Sequence, residues 1–190
     1  MNQNNNGYNG PNQMPSGPPP DTNMAPPPYM PPAQSLSKEE IFRNIVLKYE
    51  ISQEFAVRLQ QLRDCKIVFI FDDSSSMNAT LNESPLNEMN RGGMLKATRW
   101  DELQYFASIS IEIANFFNNE INDGTDVYFL NKPPVKNIRS SEAFLHHLRQ
   151  LKPNGYTPLN KIFNLALNEN MSAIKERKLL VIILTDGEPR

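Results

Sequence analysis

Two short apolar runs, each followed at once by a polar loop that contains aspartate, constrain the fold of this 190-residue chain most strongly. The run 67–71 leads into Asp-Asp-Ser-Ser-Ser-Met at 72–77, and the run 179–184 leads into Thr-Asp-Gly-Glu-Pro at 185–189. Runs that are apolar at every position are typical of strands that are buried on both faces, as in parallel sheets. The two runs therefore predict parallel strands inside a sheet that helices cover on both sides.

Helical patterns separate these strands. Thr98, with Asp101 three residues later, predicts the start of a long apolar helix, because these residues can cap each other's backbone. Further helices are predicted after Ser140 or Ser141 and at Pro158, and the segment 126–131 predicts a second strand. The segment 135–138 predicts a short antiparallel edge strand. Alternating strands and helices indicate an α/β fold with a doubly wound, mostly parallel, Rossmann-like sheet.

The chain divides into three predicted regions, which are a tail at 1–36, a helical lead-in at 37–64 and the sheet domain at 65–190. The tail contains 10 of the 16 prolines and a single charged residue, Asp21. Because it has few large aliphatic side chains, we expect it to be disordered. Ser37 and Glu40 form a predicted capping box that begins the lead-in.

The tail also carries a short proline motif. Pro26, Pro27 and Tyr29 match the PPxY pattern that WW domains bind in the polyproline II conformation. Such motifs arise readily in proline-rich segments, so a plain flexible tail is the alternative. A WW-domain protein is accordingly a predicted partner of the tail.

Charge and cysteine content exclude several classes of function. The 19 basic and 21 acidic residues give a net charge of −2 and are scattered, which argues against nucleic-acid binding. The single cysteine, Cys65, excludes an internal disulfide framework. No apolar run approaches the roughly 20 residues that span a bilayer, so we expect no membrane span and a cytoplasmic location.

Three polar loops, at 72–77, 154–158 and 185–189, follow elements of the predicted sheet. Asp72 and Asp186 should lie at the same edge, because both follow the carboxyl ends of parallel strands. Two adjacent carboxylates repel each other unless a cation or a proton lies between them. Hard oxygen ligands of this kind suit Mg²⁺, with Mn²⁺ or Ca²⁺ as alternatives.

The loops resemble the DxSxS, GxTPL and TDGxP motifs of the von Willebrand factor type A family, over about residues 64–190. The resemblance implies a metal-ion-dependent adhesion site, in which Ser74 and Ser76 bind the metal directly and Thr157 binds it directly or through water. Asp72 and Asp186 would then act through water and hydrogen bonds. A partner protein would complete the coordination with an exposed Asp or Glu, which makes the domain a protein-binding module rather than an enzyme.

The resemblance also implies a six-stranded sheet in the order 3-2-1-4-5-6. Arg190 follows the fourth predicted strand, so the domain is expected to be C-terminally truncated, with 179–184 as an exposed apolar edge. We therefore expect the 190-residue chain to be poorly soluble or only partly folded.

The same residues are compatible with other interpretations. Asp72 is the candidate nucleophile of a Mg²⁺-dependent aspartyl phosphohydrolase, although that chemistry requires a second acid where this chain has Ser74. The DxSxS segment alone is also compatible with a helix cap and turn. Asp73 is predicted to be a solvated surface acid. His146 and His147 are predicted to be exposed or partly packed rather than metal ligands. Trp100 is predicted to be a packing residue.

Overall fold

The computed structural model describes residues 36–89, 96–120 and 123–187. The predicted WW ligand at Pro26, Pro27 and Tyr29 lies outside these residues and stays a prediction. The helices are α1 Lys38–Lys48, α2 Gln53–Leu59, α3 Pro85–Met89, α4 Arg99–Glu120, α5 Ser141–Gln150, α6 Leu159–Glu169 and α7 Met171–Glu176. The strands are β1 Cys65–Phe71, β2 Thr125–Phe129, β3 Val135–Ile138 and β4 Lys178–Leu184, and 3₁₀ turns occur at Gln60–Asp64 and Ser75–Asn78.

The described strands form one mixed sheet in the order β3-β2-β1-β4. Strand β1 pairs in parallel with both β2 and β4, and Phe71 lies opposite Phe129 on one side and Leu184 on the other. The carboxyl ends of these three strands therefore meet at one edge of the sheet. Strand β3 is antiparallel to β2, as predicted. The chain is an α/β protein whose four-stranded sheet is flanked by helices, which fits a Rossmann-like class.

Strand β1 is the centre of the core, and all seven of its residues are buried. Alternate side chains on one face, including Phe69, pack with residues of α4 such as Ile111. Those on the other face, including Ile70, pack with Ala166 of α6. Each large apolar side chain removed from water contributes about 1.5–3 kcal/mol, so two-sided burial explains why β1 is apolar at every position from Ile67 to Phe71.

A buried amide completes the hydrogen bonding of β1 where β2 does not reach. The pairing of β1 with β2 begins at Val68, one residue after Ile67. Asn118 of α4 accepts a hydrogen bond from the Ile67 N–H and donates one to its carbonyl, both at 3.0 Å. The Asn118 amide also donates to Thr125 Oγ1 at 3.1 Å. Asn118 therefore holds α4 in register with the sheet.

Capping residues begin the helices where the sequence predicts. The Ser37 N–H donates to Glu40 at 2.8 Å and the Glu40 N–H donates to Ser37 Oγ at 3.2 Å, so the capping box of α1 is confirmed. Thr98 and Asp101 exchange the equivalent bonds at the start of α4, at 2.7 and 3.2 Å. These caps fix the first turn of α4, which reaches the edge of the sheet where the polar loops lie.

The lead-in packs on the sheet domain through α4. Lys48 and Tyr49 each donate to Glu112 at 2.6 Å, and Ile45 joins the core. At the other side of the sheet β4 is the edge strand of the described residues, and Ile183 is 37 % exposed. No helix in the described ranges combines the length and the apolar character needed to cross a membrane.

Candidate metal centre

Asp72 connects the loops that follow β1 and β4. Its side chain is almost fully buried, and its Oδ1 accepts a hydrogen bond from the Ser74 N–H at 2.9 Å. Its Oδ2 accepts from Thr185 Oγ1 at 2.8 Å, and its own N–H donates to the Leu184 carbonyl at 2.8 Å. The carboxylate thus sits beneath the loop surface and orients the residues on both sides of it.

Ser74 and Ser76 bring two hydroxyl groups together. A 3₁₀ turn at Ser75–Asn78 follows Ser74, and the Met77 N–H donates to the Ser74 carbonyl at 3.1 Å. The two Oγ atoms of Ser74 and Ser76 are 3.0 Å apart, with Ser74 buried and Ser76 exposed. The turn therefore presents a pair of neutral oxygen donors at the surface.

The second polar loop is fixed to the first through Ser75 and Gly155. The Ser75 N–H donates to the Gly155 carbonyl at 3.1 Å, and the Gly155 N–H donates to Ser75 Oγ at 3.0 Å. Gly155 has a φ of +94°, and a Cβ there would lie 2.3 Å from Oδ1 of Asn131. Only glycine fits position 155. At position 75, the serine hydroxyl forms a hydrogen bond with Gly155 that a glycine at 75 would lack.

The prediction that Asp73 is a solvated surface acid is wrong. Asp73 is fully buried, and Lys132 donates to its Oδ2 at 2.8 Å. The Asn131 N–H donates to Oδ1 at 2.8 Å, and the Asp73 carbonyl accepts from the Asn154 N–H at 2.7 Å. Asp73 is a structural residue that joins the loop after β1 to the loops at 131–132 and 154–158, because a buried carboxylate requires compensating donors.

Asp186, in the third loop, is paired with a residue that the sequence analysis did not identify. Nη1 of Arg99 lies 2.6 Å from Oδ2 of Asp186, and the Asp186 side chain is 7 % exposed while that of Arg99 is 41 % exposed. The available signal was the Thr98 cap, since it places Arg99 at the first position of a helix that reaches this edge. Nothing in the local sequence pattern links Arg99 to Asp186.

One cleft, with a volume of about 680 Å³, collects most of the predicted site residues. Of the five predicted metal residues, Ser74, Ser76, Thr157 and Asp186 line it, whereas Asp72 lies buried next to Ser74. The structure therefore brings the predicted residues together. The cleft is also lined by Ser75, Arg99, Gly155 and Tyr156.

The three aspartates at this edge differ in how their charge is compensated. Asp73 is paired with Lys132, and Asp186 is paired with Arg99. Within the described part of the chain, Asp72 forms no ion pair, and its hydrogen-bond donors are a backbone N–H and a hydroxyl. Buried carboxylates are usually paired with a cation or bound to metal. Asp72 is the one of the three that has no cationic partner in the described residues, and it lies beside the serine hydroxyls.

The donor set fits a small hard cation. Ligand distances of about 2.1 Å place adjacent oxygens of a Mg²⁺ octahedron about 3.0 Å apart. The Oγ atoms of Ser74 and Ser76, which share a hydrogen bond, have this separation. Among residues 36–89, 96–120 and 123–187, no three His, Cys, Asp or Glu side chains cluster closely enough to hold a metal. A site built here would consist largely of hydroxyl groups and water.

The other predictions made around the site agree with the structure. His146 and His147 are exposed on α5, away from the cleft residues. Trp100, next to Arg99, is buried in the core as a packing residue. Comparison with known proteins adds nothing to these observations, because no family model, curated protein or solved structure matches the chain.

Proposed function

We propose that this chain is a metal-dependent protein-binding module of the von Willebrand factor type A kind. Ser74, Ser76 and Thr157 would hold Mg²⁺, or alternatively Mn²⁺ or Ca²⁺, with Asp72 and Asp186 acting through water and hydrogen bonds. The observation that carries the proposal is the buried Asp72 carboxylate, which has no cationic partner among the described residues and bonds to the serine loop. A divalent cation at the hydroxyl pair would compensate its charge.

The arrangement of the sheet supports this assignment. The described strand order β3-β2-β1-β4 matches the first four strands of the order that the resemblance implies. The loops after β1 and β4 meet through the bond between Thr185 and Asp72, and the loop at Gly155 joins them through Ser75. Three motifs that lie far apart in the sequence therefore meet at one cleft, where open α/β sheets place their ligands.

The partner is expected to present an aspartate or a glutamate. A cation held mainly by hydroxyl groups keeps most of its positive charge and retains water ligands that a carboxylate can replace. Tyr156 lines the same cleft and is 88 % exposed, while its carbonyl accepts a hydrogen bond from Asn131 at 2.8 Å. An exposed aromatic side chain on a fixed backbone suits a contact residue beside the acidic group, because little ordering entropy is lost on binding.

Metal titration tests the proposal. Isothermal titration with MgCl₂ and MnCl₂ would compare the wild type with the double variant Ser74→Ala/Ser76→Ala. The matched control is Ser108→Ala/Ser110→Ala, which removes two hydroxyls that, within the described residues, bond to carbonyls of α4 alone. We expect the wild type and the control to bind one divalent ion and the cleft variant to lose binding. Equal binding by all three proteins, or binding by none, would contradict the proposal.

The alternative function, an aspartyl phosphohydrolase, is disfavoured by the burial of its candidate nucleophile. Asp72 is 1 % exposed, and each of its carboxylate oxygens already accepts a hydrogen bond. A nucleophile must reach the substrate phosphorus, and this one is covered. Incubation with p-nitrophenyl phosphate and Mg²⁺ distinguishes the two functions, since turnover that Asp72→Asn abolishes would support the hydrolase.

A further inference from the structure

Arg99 is the charged residue of the cleft that the proposed function does not use. We propose that Arg99 is a built-in counter-ion that competes with the divalent metal for Asp186 and that, once the metal is bound, assists in binding the partner's carboxylate. The inference rests on the proposed metal site and assigns a regulatory residue to it. Arg99 would weaken metal binding and strengthen anion binding at the same cleft.

The helix dipole does not explain the position of Arg99. Arg99 is the first residue of the 22-residue helix α4, where the helix dipole disfavours a positive charge. Acidic residues at the next positions, Asp101 and Glu102, have the favourable sign. The guanidinium instead reaches Oδ2 of Asp186 at 2.6 Å and lines the cleft. Its placement is explained by the carboxylate and not by α4.

The charges of the cleft determine the sign of the effect. Asp72, Asp186 and Arg99 together leave one net negative charge, because Asp73 is neutralised separately by Lys132. That charge attracts a divalent cation and repels an acidic partner. With the metal bound, the net charge becomes positive by one, so an anion is then attracted. Without Arg99 the metal-bound site would be neutral, and with Arg99 it would be positively charged.

The guanidinium also has hydrogen-bond capacity to spare. It carries five N–H donors, and among the described residues its side chain forms one hydrogen bond, to Asp186. The side chain is 41 % exposed, and Tyr156 and Thr157 line the same cleft. Fork-shaped guanidinium groups bind carboxylates through two parallel hydrogen bonds. A metal that attracts Asp186 would therefore release donors toward the anion.

Metal affinity is the first test. Free Mn²⁺, measured by electron paramagnetic resonance, would give the affinity of the wild type, Arg99→Gln, Arg99→Lys and the control Lys96→Gln. Lys96 is an exposed cation just before α4 that bonds to Asn82. We expect Arg99→Gln to bind Mn²⁺ about tenfold more tightly, since it loses a repulsive charge and frees Asp186, with the other two near the wild type. Unchanged or weaker binding by Arg99→Gln would overturn the inference.

Anion binding is the second test, and it must change in the opposite direction. At equal Mn²⁺ occupancy, paramagnetic broadening of the fluorine NMR signal of trifluoroacetate reports a carboxylate next to the metal. We expect less broadening for Arg99→Gln than for the wild type, whereas a purely structural role for Arg99 would change both affinities in the same direction. If the wild type binds no metal, the proposed function fails along with the inference. If Ser74→Ala/Ser76→Ala alone changes Mn²⁺ binding, only the inference fails.

Discussion

The buried ion pair between Asp73 and Lys132 gives the most demanding test of how the cleft is held together. Its atoms are 2.8 Å apart, with the Asp73 side chain fully buried and that of Lys132 20 % exposed. The perturbation is Lys132→Met, which keeps an unbranched apolar side chain one atom shorter and removes the ammonium with its bonds to Asp73 and Asn154. This substitution leaves the carboxylate in the interior with hydrogen bonds from Asn131 as its remaining side-chain contacts.

The magnitude follows from these contacts. Removing one partner of a buried ion pair typically costs about 3–5 kcal/mol, because the other charge remains buried without compensation. The two Asn131 hydrogen bonds, at 2.8 and 3.3 Å, still stabilise Asp73, so we expect the lower end, about 3 kcal/mol. Asp73→Asn should cost about 2 kcal/mol, since the partly exposed ammonium can be hydrated. The double variant should lose less free energy of unfolding than the sum of the two single losses, which corresponds to a coupling energy of about 2 kcal/mol.

Urea unfolding followed by the emission of Trp100 provides the assay, because this residue is the chain's one tryptophan and is buried. Lys161→Met, on the exposed surface of α6, is the matched control and should cost less than about 0.5 kcal/mol. A loss below about 0.5 kcal/mol for Lys132→Met would refute the structural role of Asp73, because exposed ion pairs contribute only that much. A coupling energy near zero would refute it equally.

Three further predictions concern the sheet, the loops and the surface. Asn118→Ala should lower the free energy of unfolding by about 3 kcal/mol in the same assay, because it leaves the buried N–H and carbonyl of Ile67 without these hydrogen bonds. Gly155→Ala should lower the free energy of unfolding by about 1–3 kcal/mol and weaken Mn²⁺ binding, because its positive φ and the nearby Asn131 leave no room for a Cβ. Asn160→Ala, at an exposed position of α6, should change neither quantity. The hydrogen bond from Lys136 holds the pKa of Glu169 below its usual 4.5. That contribution is present above pH 4.5 and lost as the pH falls through the lowered pKa, so Glu169→Gln should flatten the acid limb of the stability profile.

The sheet could be predicted because its signals are local. The run 67–71 is apolar at each position, and burial on both faces is what that pattern requires. The Thr98 and Asp101 cap marked the start of α4 because both partners lie within one turn. No helix was predicted at Met171–Glu176, where the structure has α7, because no proline or glycine marks its start after Asn170.

The clustering of the predicted site residues could be anticipated in part, because four of the five follow β1 or β4, and parallel strands bring their carboxyl ends to one edge. Thr157 instead lies between α5 and α6. The ion pairs could not be predicted from such motifs. Lys132 lies 59 residues from Asp73 in the sequence, and Arg99 lies 87 residues from Asp186. Which basic residue reaches which carboxylate depends on the packing of loops and helices, and no periodic pattern encodes it. Asp73 therefore looked like a surface acid when its loop was considered without its neighbours.

These ion pairs limit where the proposed metal could bind. A metal ion bound at this edge is stabilised most by a carboxylate that has no other cationic partner. Asp73 is not such a carboxylate, because it is paired with Lys132. Asp186 is available only at the expense of its bond to Arg99. Asp72 alone among the three lacks a cation in the described residues, and its carboxylate bonds directly to the N–H of Ser74. The proposed divalent ion would consequently be stabilised most at the hydroxyl pair of Ser74 and Ser76, and Arg99 would lower its affinity there.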